Sequence, residues 1–126
     1  MRYRRDETFR YQFEVPIPCE FRVVKIDHVE KKSKVGTASI IDISQRGLKI
    51  ATLLNIPFEK KIVEIEITFT LNSTPLIVIG ELLWKKESAK NYTYGVKLTI
   101  DQSLQKELVE ELKIYSKGIA VIKKKE

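Results

Sequence analysis

Residues 61–71 constrain the fold of this chain more than any other stretch. Val63, Ile65, Ile67, Phe69 and Leu71 alternate with Glu64, Glu66, Thr68 and Thr70. Period-two alternation predicts a strand with one buried face and one wet face. Asn72-Ser73-Thr74-Pro75 supplies turn chemistry after it. Residues 76–86 are then expected to return as its hairpin partner.

The same reading extends along the chain. Residues 17–26 form a strand with Cys19, Phe21 and Val23 on one face, and Pro16 and Pro18 flank its start. A polar turn at residues 30–34 leads to a second strand at 37–43 and a third at 48–52. Residues 85–91 are a polar loop, with Lys85 read as solvated charge. Residues 92–99 close the set, with Tyr92, Tyr94, Val96 and Leu98 alternating. Short strands at this spacing predict a sandwich or a barrel. Trp84, Tyr92 and Tyr94 are expected in its core and wall rather than as ligand stackers. The period then changes: Leu104, Leu108, Leu112 and Tyr115 recur at helical spacing. Asp101 can cap that helix and Gly118 can end it. Such a helix would lie across an open mouth of a barrel. Residues 119–122 read either as a short docked strand or as part of a basic end.

Several kinds of chemistry are excluded. Cys19 is the one cysteine of the 126 residues, so no internal disulfide forms. Its neighbours Ile17, Pro18 and Phe21 mark it as a buried thiol. His28 is the one histidine, beside a lysine-rich turn, and reads as a surface residue. One Cys and one His give no recognised metal-ligand spacing. The chain has no Gly-rich phosphate loop and no nucleophile elbow. Glu64 and Glu66 share a wet strand face, with nothing to push their pKa values apart as an acid–base pair needs. A non-catalytic protein without a cofactor is expected. No apolar run approaches the roughly 20 residues of a membrane span. Met1-Arg2-Tyr3-Arg4-Arg5-Asp6-Glu7 is not followed by the apolar stretch of a signal peptide, so a cytoplasmic location is expected.

What remains is binding. The formal net charge is +6, which fits an anionic partner: nucleotide, nucleic acid, acidic protein or membrane surface. Arg2, Arg4, Arg5 and Arg10 cluster at the start, while lysine is spread along the chain. Arginine forks onto phosphate and stacks on planar bases; the plainer reading is a solvated tail. A second feature is Asp42-Ile43-Ser44-Gln45-Arg46-Gly47. Its Gly permits a positive φ, and its Asp and Ser can bond the turn's own amides. Taken alone, that is an ordinary turn.

Together, these features resemble the PilZ domain, the bacterial receptor module for cyclic di-GMP. The likeness covers nearly the whole chain. Asp42-x-Ser44-x-x-Gly47 matches the family's Asp/Asn-x-Ser-x-x-Gly motif at every defined position. The stretch from Arg4 to Tyr11 looks like its N-terminal arginine arm. Gly80-Glu81-Leu82-Leu83-Trp84 and Tyr94-Gly95-Val96-Lys97-Leu98 look like its closing strands. The family arm has three residues between its arginines. Here Arg5 and Arg10 have four between them, and the three-residue spacing from Arg10 falls on Asp6.

The resemblance implies a six-stranded antiparallel β-barrel, an all-β fold, with a C-terminal α-helix. Residues 1–13 would be an arginine-rich arm, 14–118 the barrel with its closing helix, and 119–126 a basic tail. Arg5, or Arg4, would join Arg10 in clamping guanine and phosphate. Asp42 and Ser44 would hold the other side, and Gly47 would shape the turn. A bidentate Arg suits the O6 and N7 acceptors of guanine. A carboxylate suits the N–H donors on its opposite edge. An unidentified effector protein would receive the signal. Two alternatives stand beside this reading. One is a PilZ-fold interaction module that has lost the ligand, which the altered arm spacing favours. The other is a basic barrel for single-stranded nucleic acid, which would need aromatic platforms along a basic groove. The aromatics here fall mostly on apolar strand faces, so nucleic acid is not the expected partner.

Overall fold

The computed structural model of the chain describes residues 10–31 and 33–125. Seven strands and one helix follow in order: β1 (Arg10–Ile26), β2 (Val29–Glu30), β3 (Gly36–Ser44), β4 (Gly47–Thr52), β5 (Val63–Thr70), β6 (Pro75–Glu87), β7 (Tyr92–Leu98) and α1 (Gln102–Lys125). All pairings are antiparallel. The order β1-β3-β4-β7-β6-β5 returns to β1, because β1 also pairs with β5. The result is a closed six-stranded barrel, with two-residue β2 as a stub on β1. Asp27 and His28 make the β1–β2 turn with φ of 51° and 69°, the left-handed geometry a tight hairpin demands. His28 lies exposed there, 3.8 Å from Glu64.

Alternation decides what fills the barrel. Val63, Ile65, Ile67 and Phe69 of β5 point inward, as do Tyr94, Val96 and Leu98 of β7. Cys19 and Phe21 of β1 join them. Tyr94 is fully buried with its hydroxyl satisfied: it accepts from the Ile56 amide at 2.8 Å and donates to the Leu54 carbonyl at 2.9 Å. The β4–β5 loop is thereby pinned against the barrel. Lys85 does not match its expected role as solvated charge. Its ammonium bonds Asn55 Oδ1 and the Ile56 carbonyl and lies 5.0 Å from the Tyr92 ring centre.

Two expected boundaries move. β1 starts at Arg10 rather than residue 17, so Pro16 and Pro18 lie within the strand. Gln12 faces Asp42 and Ile17 faces Ile40, so β1 runs through more residues than β3 across this interval. A register break is where a strand can house a residue that lacks an N–H. The early start is held by packing: Phe13 is buried, and both Tyr11 and Phe13 meet Tyr115 of α1 edge-on. At the other end, α1 continues through Gly118 to Lys125, and residues 119–122 are helical rather than a docked strand. Gly118 has no positive φ and so cannot act as a left-handed cap.

The helix start is as expected. Asp101 Oδ1 accepts from the Leu104 amide at 2.8 Å, satisfying a donor the helix leaves open. Leu108 and Leu112 are fully buried, flanked by partly buried Leu104 and Tyr115. Asn72, in the β5–β6 turn, donates to the Glu111 carbonyl at 3.0 Å. The β5–β6 turn and the start of β1 lie at the same mouth of an antiparallel barrel, so α1 closes that mouth. Among the described residues, no helix is long and apolar enough to cross a membrane.

Burial raises the Cys19 thiol from 9.0 to about 12, with the adjacent Glu20 charge adding to the shift. The folded value lies above the unfolded one. The neutral thiol's contribution to stability is therefore complete below pH 9 and is lost as pH rises toward 12. Cys19 is expected to resist a thiol reagent at pH 8 in the native protein and to react fully in denaturant. Rapid stoichiometric labelling of the native protein would contradict this packing.

Candidate functional site

The Asp42-to-Gly47 motif forms the β3–β4 hairpin, and its residues do different jobs. Ser44 is buried and turned into the hairpin. Its Oγ accepts from the Arg46 amide at 3.3 Å and the Gly47 amide at 3.2 Å, and donates to the Gly47 carbonyl at 3.3 Å. The Arg46 carbonyl accepts from the Leu98 amide at 2.8 Å, tying the hairpin to β7. Gly47 is needed for a different reason than expected. No described glycine has a positive φ. Instead, a Cβ at Gly47 would lie 2.7 Å from the Val96 carbonyl oxygen, and a backbone atom has no easy way to yield.

Asp42 does not bond the turn amides. Ile40 and Ile43 are both fully buried although they stand three apart, which simple alternation forbids. The register explains it: Ile40 faces Ile50, while Asp42 faces Lys49. Ile41 is thus an extra residue, a β-bulge, and it moves Asp42 onto the barrel's outer face. There Asp42 Oδ1 accepts from Arg10 Nη1 at 3.0 Å, and Oδ2 lies 3.5 Å from Lys49 Nζ. The Asp42 side chain is only 9% exposed, that of Arg10 47%. A carboxylate this covered needs pairing, and the two cations provide it.

A second bulge acts across the site. In β6, Leu76, Val78, Gly80 and Leu82 are buried in alternation, so Trp84 should face inward. Leu82 faces Val96, but Trp84 faces Gly95, leaving Leu83 as the extra residue. Trp84 is therefore turned outward and is 42% exposed. The expectation that it belongs to the core fails for this reason. Its indole lies against Gly95, where a Cβ would stand 2.1 Å from the indole nitrogen.

These side chains share one cleft of about 270 Å³ on the outer face of β3, β4, β7 and β6. Arg10, Arg46, Lys49 and Lys97 supply four cations, and Asp42 the single carboxylate of the lining. Gly47 faces Lys97, and Lys49 faces Gly95 across β4 and β7. Each lysine thus stands beside a glycine, one of which, Gly95, is covered by the Trp84 indole. Of the residues implied by the family resemblance, Arg10, Asp42, Ser44 and Gly47 meet here. Arg4 and Arg5 lie outside the described residues. Sequence reasoning does not single out Arg46, Lys49 or Lys97, and it assigns Trp84 to the core. Arg46 lay inside the motif itself. Lys49 and Lys97 alternate with inward Leu48, Ile50, Val96 and Leu98, so their outward direction was available. Their adjacency needed the register.

The hairpin thus sits at the centre of a positively charged cleft on the outside of a closed barrel. The PilZ domain family model matches residues 2–113, and the chain belongs to that family, whose domains are receptor modules for cyclic di-GMP. No curated protein matches the chain.

Gly47→Ala is expected to lower stability by about 1–3 kcal/mol, the usual range for overpacking, in a denaturant titration. Unchanged stability would show that the contact with the Val96 carbonyl relaxes freely.

Proposed function

We propose that this protein is a non-catalytic receptor for cyclic di-GMP, acting in the bacterial cytoplasm and passing the signal to a protein partner. The observation that supports this most is the convergence of Arg10 and Asp42 in one cleft with Arg46, Lys49 and Lys97 around them. The ligand carries two phosphates and two guanines. Arginine can fork onto guanine O6 and N7, and Asp42 can accept from the N–H donors of the opposite edge. The surrounding cations match the phosphates. The arm supplies the second arginine of the clamp, Arg4 or Arg5. Ser44 and Gly47 keep the hairpin in shape, since the Ser44 hydroxyl is already engaged within it.

Calorimetric affinity at one fixed ionic strength tests this. Arg10→Ala and Asp42→Ala each remove charge-assisted hydrogen bonds of about 1.5–3 kcal/mol, a loss of roughly tenfold to a hundredfold. Exposed Lys86→Ala should leave affinity unchanged. Added salt should weaken binding, because phosphate contacts release counterions. If the parent binds and both site variants bind equally well, the site assignment is wrong. If the parent does not bind, the chain is a PilZ-fold interaction module.

A further inference from the structure

We infer that the barrel carries, at the end away from α1, a docking groove for an extended protein segment with an aliphatic core and acidic flanks. The inference deepens the receptor reading above, because it names the chemistry of the protein partner and where that partner binds. The hairpin at residues 44–47 and the start of β1 share the mouth that α1 closes, so the start of β3 and the end of β4 lie at the other. Between them runs a groove of about 530 Å³, lined by aliphatic Val35, Leu53 and Leu54 and by small residues such as Gly36, Ala38 and Ala51. Leu53 is 78% exposed, Val35 50% and Leu54 47%. Single exposed aliphatics are ordinary on a surface, but three around one groove mark a binding site. Their backbone is also held. The Thr52 hydroxyl donates to the Thr37 carbonyl at 2.8 Å and accepts from the Leu54 amide at 3.2 Å, and the Tyr94 hydroxyl donates to the Leu54 carbonyl at 2.9 Å. Residues 52–54 are thus fixed from two sides, and little ordering opposes binding there.

The chemistry of the groove selects its occupant. Gly36, Thr37 and Ala38 pair with β1, whereas the pairing of β3 with β4 begins at Ser39. β3 therefore offers a short free edge, the kind of surface along which an extended backbone lies. Among the described residues the lining has no charged side chain; the charge stands on the rim. The three segments that meet at this mouth, residues 27–35, 53–62 and 85–91, hold eight lysines and four carboxylates. Exposed Lys34 and Lys90 directly precede Val35 and Asn91 of the lining. Acidic residues on either side of an aliphatic core would meet that rim. A lipid surface fits less well. Its tails would cover Thr37, Ser39, Thr52 and Asn91 without hydrogen-bonding them, which is unfavourable, whereas a peptide backbone can bond them. A second copy docked through the same face would set two lysine-rich rims against each other.

The experiment selects a display library of random peptides on the full-length protein. The enriched peptides are then synthesised and titrated into the parent, Leu53→Ser and Lys34→Glu. Both positions are exposed, so both variants keep the fold. The enriched peptides should share aliphatic residues flanked by Asp or Glu. Leu53→Ser should weaken them roughly tenfold to a hundredfold, the range for losing one buried leucine contact. Lys34→Glu should weaken them about two- to fivefold and flatten the salt dependence of association, as a rim charge does. No enrichment, enriched peptides without acidic residues, or equal binding to Leu53→Ser would overturn the groove. So would two other results: parent that sediments with phosphatidylglycerol vesicles when Leu53→Ser does not, which assigns the face to a membrane, or a parent dimer lost in Leu53→Ser, which assigns it to a second copy. Cyclic di-GMP is titrated separately into the parent and Leu53→Ser, which should bind it alike. Peptides that bind as described to a parent that does not bind cyclic di-GMP would support the groove and overturn the receptor reading alone.

Discussion

β1 pairs with β3 along one edge and with β5 along the other, and the second pairing closes the sheet on itself. Closure pairs each of the six strands on both sides through the body of the barrel, leaving only short overhangs and the β2 stub as edges. Its interior is packed with Ile, Val, Leu and Phe side chains and a fully buried Tyr94, so no ligand enters there. The cleft that holds Arg10 and Asp42 lies on the outer face of the sheet instead. The period-two rule would normally leave that face to scattered polar residues. Two bulges change its content, one presenting Asp42 and the other Trp84.

Charge gives this face its direction. Asp42 is nearly covered by Arg10 and Lys49, and removing either cation would leave a buried carboxylate under-paired. Arg46 and Lys97 extend the positive potential beyond that cluster. With four cations and one carboxylate in its lining, the cleft carries a net positive charge. The hairpin that carries Arg46 is held by the Ser44 hydroxyl and by the Leu98 amide, so the cationic side chain projects from a fixed backbone. Arg10 neighbours Tyr11, whose ring meets Phe13 at 4.9 Å and Tyr115 at 6.0 Å. The site and the closing helix are thus anchored on the same few residues of β1.

Much of the fold was legible in the sequence because its signals are local. The alternation of 63–71 and 92–98, the Asp101 cap and the Leu104–Leu108–Leu112–Tyr115 stripe each depend on a short window. The barrel and the hairpin motif came through the family resemblance. The misses share a cause. Trp84 and the role of Gly47 depend on what lies opposite them in another strand, and a bulge leaves no mark in composition. Counting inward positions from Leu76 leads to a buried Trp84; only the pairing of Trp84 with Gly95 reverses it. The early start of β1 rests on the distant Tyr115 ring. Gly118 has the composition of a helix end, but the helix runs through it.

The proposed receptor function places cyclic di-GMP on the outer face of β3, β4, β7 and β6, where a bulge presents Asp42. Amide and indole chemical shifts of isotope-labelled protein, followed during a titration with cyclic di-GMP, test it most directly. The account predicts that the perturbed signals gather at residues 42–49, at the Trp84 indole and at residues 95–97. Shifts gathered instead around Val35, Leu53, Leu54 and Asn91, which line a separate cleft, would contradict it.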